Sequence, residues 1–362
     1  MNVAVKDVIR REIKSLFELK KTERLWHIPM LASLCTGIPL LAGLYFNRLN
    51  YGILSCMAGL VILYLPSTTI ANRMITLLTC SFGFMISFTI GIVFSFNPMV
   101  SSLIFGLWAL SIHWVTIYFR MKPPGSFFFI MLASIASCMP FDLKMIPTRI
   151  GLIGMGAMLA CVLAFFYSLY IIKKYPPQSK PIRIKRPSRY ANIIESATVG
   201  IFMGGSLLIG HLLRLQNPYW IPISCAAVMQ GVSLHHIWQR SVQRILGTFI
   251  GLGLAWLLLF YLKMTPLNLC LSIFVLQFII EMLVVRHYGL AVIFITPMTI
   301  FLAEAGSAMT ANPNTLISIR FFDIVLGSLI GAIGGWFLHH QQLRHTVERQ
   351  IRKTRISILR KS

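Results

Sequence analysis

The sequence of 362 residues is 56% hydrophobic and only 12% charged, and its formal net charge is +23. Soluble domains are about one quarter charged, so this composition excludes an ordinary soluble protein and indicates a polytopic membrane protein. The basic residues fall in short clusters between apolar runs, as in cytoplasmic loops, and no nucleic-acid motif accompanies them, so we expect no nucleic-acid partner.

The chain begins with a basic arm, residues 1–26, in which Val5, Ile9 and Ile13 fall on one face of a helix. It contains no apolar core of the signal-peptide type, so we expect an uncleaved amphipathic helix on the inner leaflet of the lipid bilayer. A basic linker, 173–190, interrupts the apolar part of the chain, and a basic tail, 341–362, follows it. The apolar runs are predicted membrane helices; they lie at 27–46, 51–65, 72–95, 98–118, 126–140, 149–172, 191–213, 219–233, 241–262, 266–285, 288–303 and 317–339.

The distribution of basic residues predicts the orientation of these helices. With a cytosolic N-terminus, 27 of the 33 lysines and arginines fall on the cytosolic side and 6 outside. Because cytoplasmic loops carry the excess of Lys and Arg, both termini are predicted to be cytosolic.

The two halves of the apolar region, 27–172 and 191–340, resemble each other. Ser55-Cys56-Met57-Ala58 matches Ser224-Cys225-Ala226-Ala227. The further matches occur in the same order along both halves: Tyr51 with Trp220, Arg73 with Arg244, Gly125 with Gly289, Arg149 with Arg320, and Gly156 with Gly327. Because six crossings separate equivalent helices, the repeats are parallel. The sequence therefore predicts an all-α polytopic membrane protein of about 12 transmembrane helices in two parallel six-helix repeats.

The second and fifth spans of each half are short and interrupted. Pro66 ends one of them, Pro218 and Pro222 bracket the start of another, and Pro297 lies inside a third. Paired short spans in equivalent positions indicate a transport site at the repeat interface. The alternative is that they are half-buried packing elements.

The run PYWIPISCAAVMQG, residues 218–231, is followed by R-x-x-x-R-x-x-G-T-x-x-G, residues 240–251. This pattern resembles the fusaric-acid-resistance-like proteins, the bacterial aromatic acid exporters, which are distantly similar to plant aluminium-activated malate transporters. The first half is a degraded copy that keeps Arg73 but lacks the G-T-x-x-G. The resemblance implies an inner-membrane transporter or channel for organic anions, typically aromatic carboxylates. Many relatives carry large soluble domains after each helical half, whereas here only the linker and the tail occupy those places.

Four arginines are the predicted substrate-binding residues, because ionisable groups inside a membrane are costly and guanidinium groups bind carboxylate or phosphate bidentately. Arg73 and Arg244 form one equivalent pair, expected to face a central path, and Arg149 and Arg320 form the outer pair. The alternative is that these side chains extend to the lipid headgroups. Arg240 has no counterpart in the first half, so we expect it to contact headgroups.

Two acids and two aromatic residues complete the candidate site. Glu281 and Asp323 are the proton-coupling candidates, because a carboxylate that protonates in a dry cavity can couple transport to a gradient. The alternative for both is structural pairing, with Arg286 or Arg320. Tyr219 and Trp220 belong either to the aromatic belt at the external interface or to a surface that stacks on an aromatic substrate.

The sequence predicts an inner-membrane exporter of organic anions, driven by the proton gradient or the membrane potential. The alternatives are a passive organic-anion channel and a non-transporting envelope or assembly scaffold. No P-loop, G-x-S-x-G or H-E-x-x-H motif is present, so we expect no enzyme and no cofactor or metal. A periplasmic adaptor and self-association are both left open as partners.

Overall fold

The computed structural model describes residues 22, 24–174, 189–231, 233–263, 265–303 and 313–339. Within these ranges the protein is all-helical, with a 3₁₀ turn, Leu60–Tyr64, and twelve α-helices. The helices are α1 His27–Tyr45, α2 Leu49–Gly59, α3 Ile70–Val93, α4 Pro98–Tyr118, α5 Phe127–Ser137, α6 Ile146–Lys174, α7 Arg189–Leu212, α8 Trp220–Met229, α9 Leu234–Tyr261, α10 Pro266–Leu283, α11 Tyr288–Ala303 and α12 Pro313–His339. Most of the predicted arm, most of the linker and the whole predicted tail lie outside the described residues.

Helix length separates two classes of helix. Eight helices are long and apolar enough to cross a membrane, so the chain is a multi-pass integral membrane protein. The four shorter apolar helices are α2 with its 3₁₀ turn, α5, α8 and α11. They are the second and fifth elements of each predicted half, so the prediction that these four are short is confirmed.

Two helix starts follow local rules of the sequence. The Asn97 side chain accepts hydrogen bonds from the backbone N–H groups of Met99 and Val100, at 2.9 and 3.3 Å, immediately before Pro98. Thr265 caps α10 in the same way, ahead of Pro266. A polar cap followed by proline in the first turn satisfies free backbone donors and fixes φ, which explains where these helices begin.

The described residues divide into two compact units. The first unit draws on Met1–Leu63, Gly151–Phe166 and Gln239–Val325. In it, α10 packs against both α1 and α11, and α1 packs against α2. Leu40 of α1, Ile53 of α2, Ile273 of α10 and Phe301 of α11 belong to one buried apolar cluster, which holds these helices together.

The second unit draws on Tyr64–Ile150, Tyr167–Trp238 and Leu326–Ser362. Here α4 packs against α7 through glycines, and a Cβ on Gly106 would lie 2.9 Å from the carbonyl oxygen of Gly200. The aromatic rings of Tyr64, Phe84 and Phe129 meet edge to face where α3 packs on α5. Small residues and aromatic rings therefore fill the interior of this unit.

One close helix contact occurs in both units. In the first unit, a Cβ on Gly156 of α6 would overlap the carbonyl oxygen of Ser55 in α2. In the second unit, a Cβ on Gly327 of α12 would overlap the carbonyl oxygen of Ile221 in α8 and lie 2.8 Å from the Cβ of Ser224. The sequence matches Gly156 with Gly327 and Ser55 with Ser224, so the paired positions make equivalent contacts.

Candidate functional site

Arg244 lies on the buried face of α9. The buried positions Ile237, Ser241, Arg244 and Thr248 recur every three or four residues, which places them on one side of the helix. The side chain of Arg244 is 6% exposed, whereas Arg240, one turn earlier, is half-buried. Arg244 is therefore buried inside the protein, and its facing a central path stays a prediction.

Tyr288, the first residue of α11, contacts both arginines. Arg244 Nη1 donates a hydrogen bond to the Tyr288 hydroxyl at 3.3 Å. The guanidinium carbon of Arg240 lies over the Tyr288 ring, 4.3 Å from its centroid, which is a cation–π contact. The structure thus places Arg240, which the sequence assigns to lipid headgroups, against the same tyrosine as Arg244.

Glycines bring α9 and α11 close enough for these contacts. A Cβ on Gly247 would lie 2.7 Å from the carbonyl oxygen of Gly289, and one on Gly251 would lie 2.7 Å from that of Ile293. Thr248 is fully buried between these glycines, and its hydroxyl has no hydrogen-bond partner among the described residues. The two helices run in the same direction, and the start of α11 at Tyr288 lies beside Arg244, which stands well inside α9.

Arg320 lies toward the other end of α11. Its side chain is 3% exposed, and its Nη2 donates a hydrogen bond to Thr299 Oγ1 at 2.7 Å. The Thr299 hydroxyl in turn donates to the carbonyl oxygen of Thr296 at 2.9 Å. The rings of Phe249 in α9 and Phe321 in α12 have centroids 6.0 Å apart, so α9, α11 and α12 meet at this level.

We refer to six polar residues of the first unit, all of them in α9, α11 or α12, as the polar seam. It comprises Arg244, Thr248, Tyr288, Thr296, Thr299 and Arg320. At 1.5 Å of rise per helical residue, Tyr288 and Thr299 are about 16 Å apart along α11. The seam therefore places a guanidinium group at each end of a short line of hydroxyl groups.

The two predicted coupling acids have different surroundings. Glu281 in α10 accepts a hydrogen bond at 2.9 Å from Arg24, just before α1, and a second at 3.4 Å from Gln277. Arg24 also donates to the carbonyl oxygen of Glu281 at 3.2 Å. Asp323 is fully buried one turn after Arg320, and neither carboxylate oxygen has a hydrogen-bond partner among the described residues. Glu281 is thus held by an ion pair, and Asp323 is not held by hydrogen bonds.

Arg73 and Arg149 lie in the second unit. Arg73 is 7% exposed; its Nε donates to the carbonyl oxygen of Thr68 at 2.9 Å, and its Nη1 donates to the Ser168 hydroxyl at 3.3 Å. Arg149 is half-buried and donates to the carbonyl oxygen of Pro140 at 2.8 Å. Each of these two arginines therefore anchors a nearby loop or helix. A shared anion site for Arg73 and Arg244, which belong to different units, stays a prediction.

Tyr219 and Trp220 also lie in the second unit, at the start of α8. Trp220 is buried, and Tyr219 is half-buried with its ring centroid 5.0 Å from that of Trp220. The Tyr219 carbonyl oxygen accepts a hydrogen bond from Ser134 of α5 at 3.0 Å. The structure brings these residues together with α5, and their stacking on a substrate stays a prediction.

Sequence reasoning missed Tyr288 and Arg24. Tyr288 stands next to Arg286 and His287 at a helix start, a place where an aromatic residue is usually assigned to the interface belt. In the sequence, Arg24 is one of several basic residues of the arm. No local signal connects it with Glu281, because 257 positions separate the two residues.

Comparison with known proteins gives a family match in the second half of the chain. Residues 205–334 match the family model described as fusaric acid resistance protein-like. Over 146 residues the chain is 34% identical to the uncharacterized membrane protein YvaC of Bacillus subtilis (strain 168). That match covers 40% of this chain and 23% of the relative, so the chain spans less than a quarter of the relative's length. No solved structure gives a significant match. The resemblance predicted from the sequence is therefore confirmed: residues 205–334 are similar to the fusaric acid resistance protein-like family, and the chain is a multi-pass integral membrane protein.

Proposed function

We propose that the protein carries organic anions, most suitably aromatic carboxylates, out of the cell across the bacterial inner membrane. The observation that carries this proposal is the burial of Arg244 and Arg320 at the two ends of the polar seam. A guanidinium group inside a membrane is costly, so two of them in one unit indicate a function that uses positive charge. An anion moving between them would meet bidentate donors at each end and hydroxyl groups on the way.

The proposed frame for this path is twelve membrane helices in two parallel six-helix repeats, with both termini cytosolic. The equivalent contacts of Gly156 with Ser55 and of Gly327 with Ser224 support the repeat. A further parallel supports it, because α10 packs on α1 in the first unit as α4 packs on α7 in the second. In both cases the fourth helix of one half packs against the first helix of the other.

The proposed coupling group is Asp323. Its carboxylate is buried beside the Arg320 end of the seam and has no hydrogen-bond partner in the described part of the chain, so a proton can bind there without breaking a hydrogen bond. Glu281 fits this role less well, since protonation would disrupt its ion pair with Arg24. Protonation of Asp323 is therefore the proposed step through which the proton gradient drives transport.

Flux of benzoate in proteoliposomes tests the role of the arginines. Arg244→Ala or Arg320→Ala should lower benzoate affinity about ten- to a hundredfold, because each removes a charge-assisted contact of about 1.5–3 kcal/mol. Arg244→Lys should restore only part of the loss, since an ammonium group cannot bind a carboxylate bidentately. Arg214→Ala, an exposed arginine between α7 and α8, is the matched control and should change little. Equal behaviour of all four variants would contradict the proposal.

A second flux measurement tests the coupling. Asp323→Asn should abolish flux driven by a proton gradient while benzoate binding persists, and Glu281→Gln should retain gradient-driven flux per folded molecule. If Asp323→Asn transports normally across pH 6–8 and the wild type passes single-channel currents, the passive channel replaces the coupled carrier.

A further inference from the structure

Tyr288 contacts two arginines at once with the two parts of one phenol. Its ring lies beneath the Arg240 guanidinium, with 4.3 Å between the guanidinium carbon and the ring centroid. Its hydroxyl accepts the hydrogen bond from Arg244 Nη1 at 3.3 Å. Arg240 and Tyr288 are half-buried, whereas Arg244 is buried beneath them. The Arg240 guanidinium and the Tyr288 ring thus form the more exposed part of this three-residue cluster.

An aryl carboxylate offers the same two features in the same order. Its π face can lie under a guanidinium group, and its acidic oxygens lie near the ring plane, where they can accept from a second guanidinium group. The Tyr288 phenol has this shape and this distribution of partners, but its oxygen carries no charge. Tyr288 therefore makes the same two kinds of contact with Arg240 and Arg244 that an aryl carboxylate would make.

We propose that Tyr288 is a self-ligand, a residue of the chain that contacts Arg240 and Arg244 in the resting protein and is displaced by an incoming aryl carboxylate. This inference rests on the proposed function and assigns to the same site a gating residue and a second arginine. Displacement is favoured because a carboxylate adds a negative charge opposite Arg244 and can accept two hydrogen bonds from its guanidinium group, whereas the Tyr288 hydroxyl offers one neutral oxygen. The cation–π contact of Arg240 is kept during displacement, because the aromatic ring of the substrate replaces the ring of Tyr288.

Substitution of a self-ligand should change substrate affinity in the opposite direction to substitution of an ordinary binding residue. If Tyr288 competes with the substrate, Tyr288→Phe weakens the competitor, because the ring stays under Arg240 while the oxygen on Arg244 is lost. If Tyr288 instead holds the substrate, the same change removes a contact and affinity falls. The direction of the change in affinity therefore decides between the two roles.

The test is calorimetric binding of benzoate to the full chain in detergent. Tyr288→Phe should raise benzoate affinity about three- to tenfold, the net worth of one ordinary hydrogen bond, because the contact between Arg244 and the Tyr288 hydroxyl is long at 3.3 Å. Its unfolding temperature should stay close to that of the wild type, since the ring and its packing are retained. Unchanged or lowered benzoate affinity in Tyr288→Phe overturns the self-ligand.

The ring contact has its own matched probe. Cyclohexanecarboxylate carries the same charge as benzoate on a saturated ring, so it cannot make the cation–π contact. Wild-type protein should prefer benzoate over cyclohexanecarboxylate about two- to fivefold, and Arg240→Gln should reduce this preference to near one. An equal preference in both proteins overturns the assignment of Arg240.

The binding results of these variants distinguish failure of the self-ligand from failure of the proposed function. If Arg244→Ala loses benzoate binding and Tyr288→Phe does not gain it, the self-ligand fails and the proposed function stands. If wild-type protein binds no benzoate, and Arg244→Ala behaves identically, the proposed function fails and the self-ligand fails with it.

Discussion

Two carbonyl oxygens inside helices lose a hydrogen bond because a proline follows four residues later. Pro39 in α1 cannot donate to Cys35, and Pro297 in α11 cannot donate to Ile293. In each case a glycine of the neighbouring helix lies against that oxygen, Gly59 for Cys35 and Gly251 for Ile293. A glycine Cα–H can approach a carbonyl oxygen closely enough for a weak hydrogen bond, whereas a side chain would block that approach. These two glycines therefore make a proline tolerable in the helix beside them.

Two glycines of α6 allow a controlled test of close packing. Gly156→Ala should lower the free energy of unfolding by about 1–3 kcal/mol or more, because its new methyl group would overlap the backbone of Ser55. Gly151→Ala on the same helix should be neutral or stabilising by up to about 1 kcal/mol, since no atom lies within 4 Å of its Cβ. The measurement is denaturant unfolding in micelles. Similar losses at both positions would show that the Gly156 contact is absent.

At the scale of the element, the segment before α1 is tied to the end of α10. Arg24 holds both the carboxylate and the carbonyl oxygen of Glu281, and the Arg24 side chain remains 20% exposed. Gln277, one turn earlier in α10, supports the other carboxylate oxygen. The ion pair thus fixes the start of the first helix against a helix from the second half of the chain.

Removing one member of this pair should cost more than removing both. Arg24→Ala leaves a buried carboxylate without its cation and should destabilise the protein by about 3 kcal/mol. The double variant, Arg24→Ala with Glu281→Gln, should recover part of that loss, because the remaining amide is uncharged. Thermal unfolding of the wild type, both single variants and the double variant completes the cycle. Simple additivity of the two losses would exclude direct coupling of the residues.

At the scale of the whole molecule, the uneven distribution of basic residues predicts a cytosolic linker. A cysteine introduced between residues 175 and 188 should resist a membrane-impermeant thiol reagent in intact cells and react after permeabilisation, because the linker carries a dense basic cluster. A cysteine at Lys144, on the predicted outer side between α5 and α6, is the control and should react in intact cells. Labelling of the linker in intact cells would reverse the orientation.

The sequence predicts helix positions well because one physical quantity, the length of an apolar run, governs them. The run 27–46 becomes α1, His27–Tyr45, and the runs predicted to be short become α2, α5, α8 and α11. Arg244 is also found on the buried face, as glycines at helical spacing after it indicate. The contact of Arg240 with Tyr288 and the pairing of Arg24 with Glu281 were not predicted. Both join separate helices, and a periodicity within one segment contains no information about which distant segment it meets.

During synthesis, α1 is made well before α10, the helix against which it packs. Gly37 of α1 lies against the ring of Phe274, yet α10 begins more than two hundred residues after α1 ends. At about 5–20 residues per second, a ribosome needs on the order of ten to forty seconds to deliver the partner helix. A ribosome that stops in the linker releases a chain with α1 and α2 but without α9, α10 and α11, which the first unit requires. Until α9, α10 and α11 have been synthesised, lipid or the insertion machinery must keep α1 and α2 in place. A fragment comprising α7–α12, supplied separately, should be able to complete the first unit.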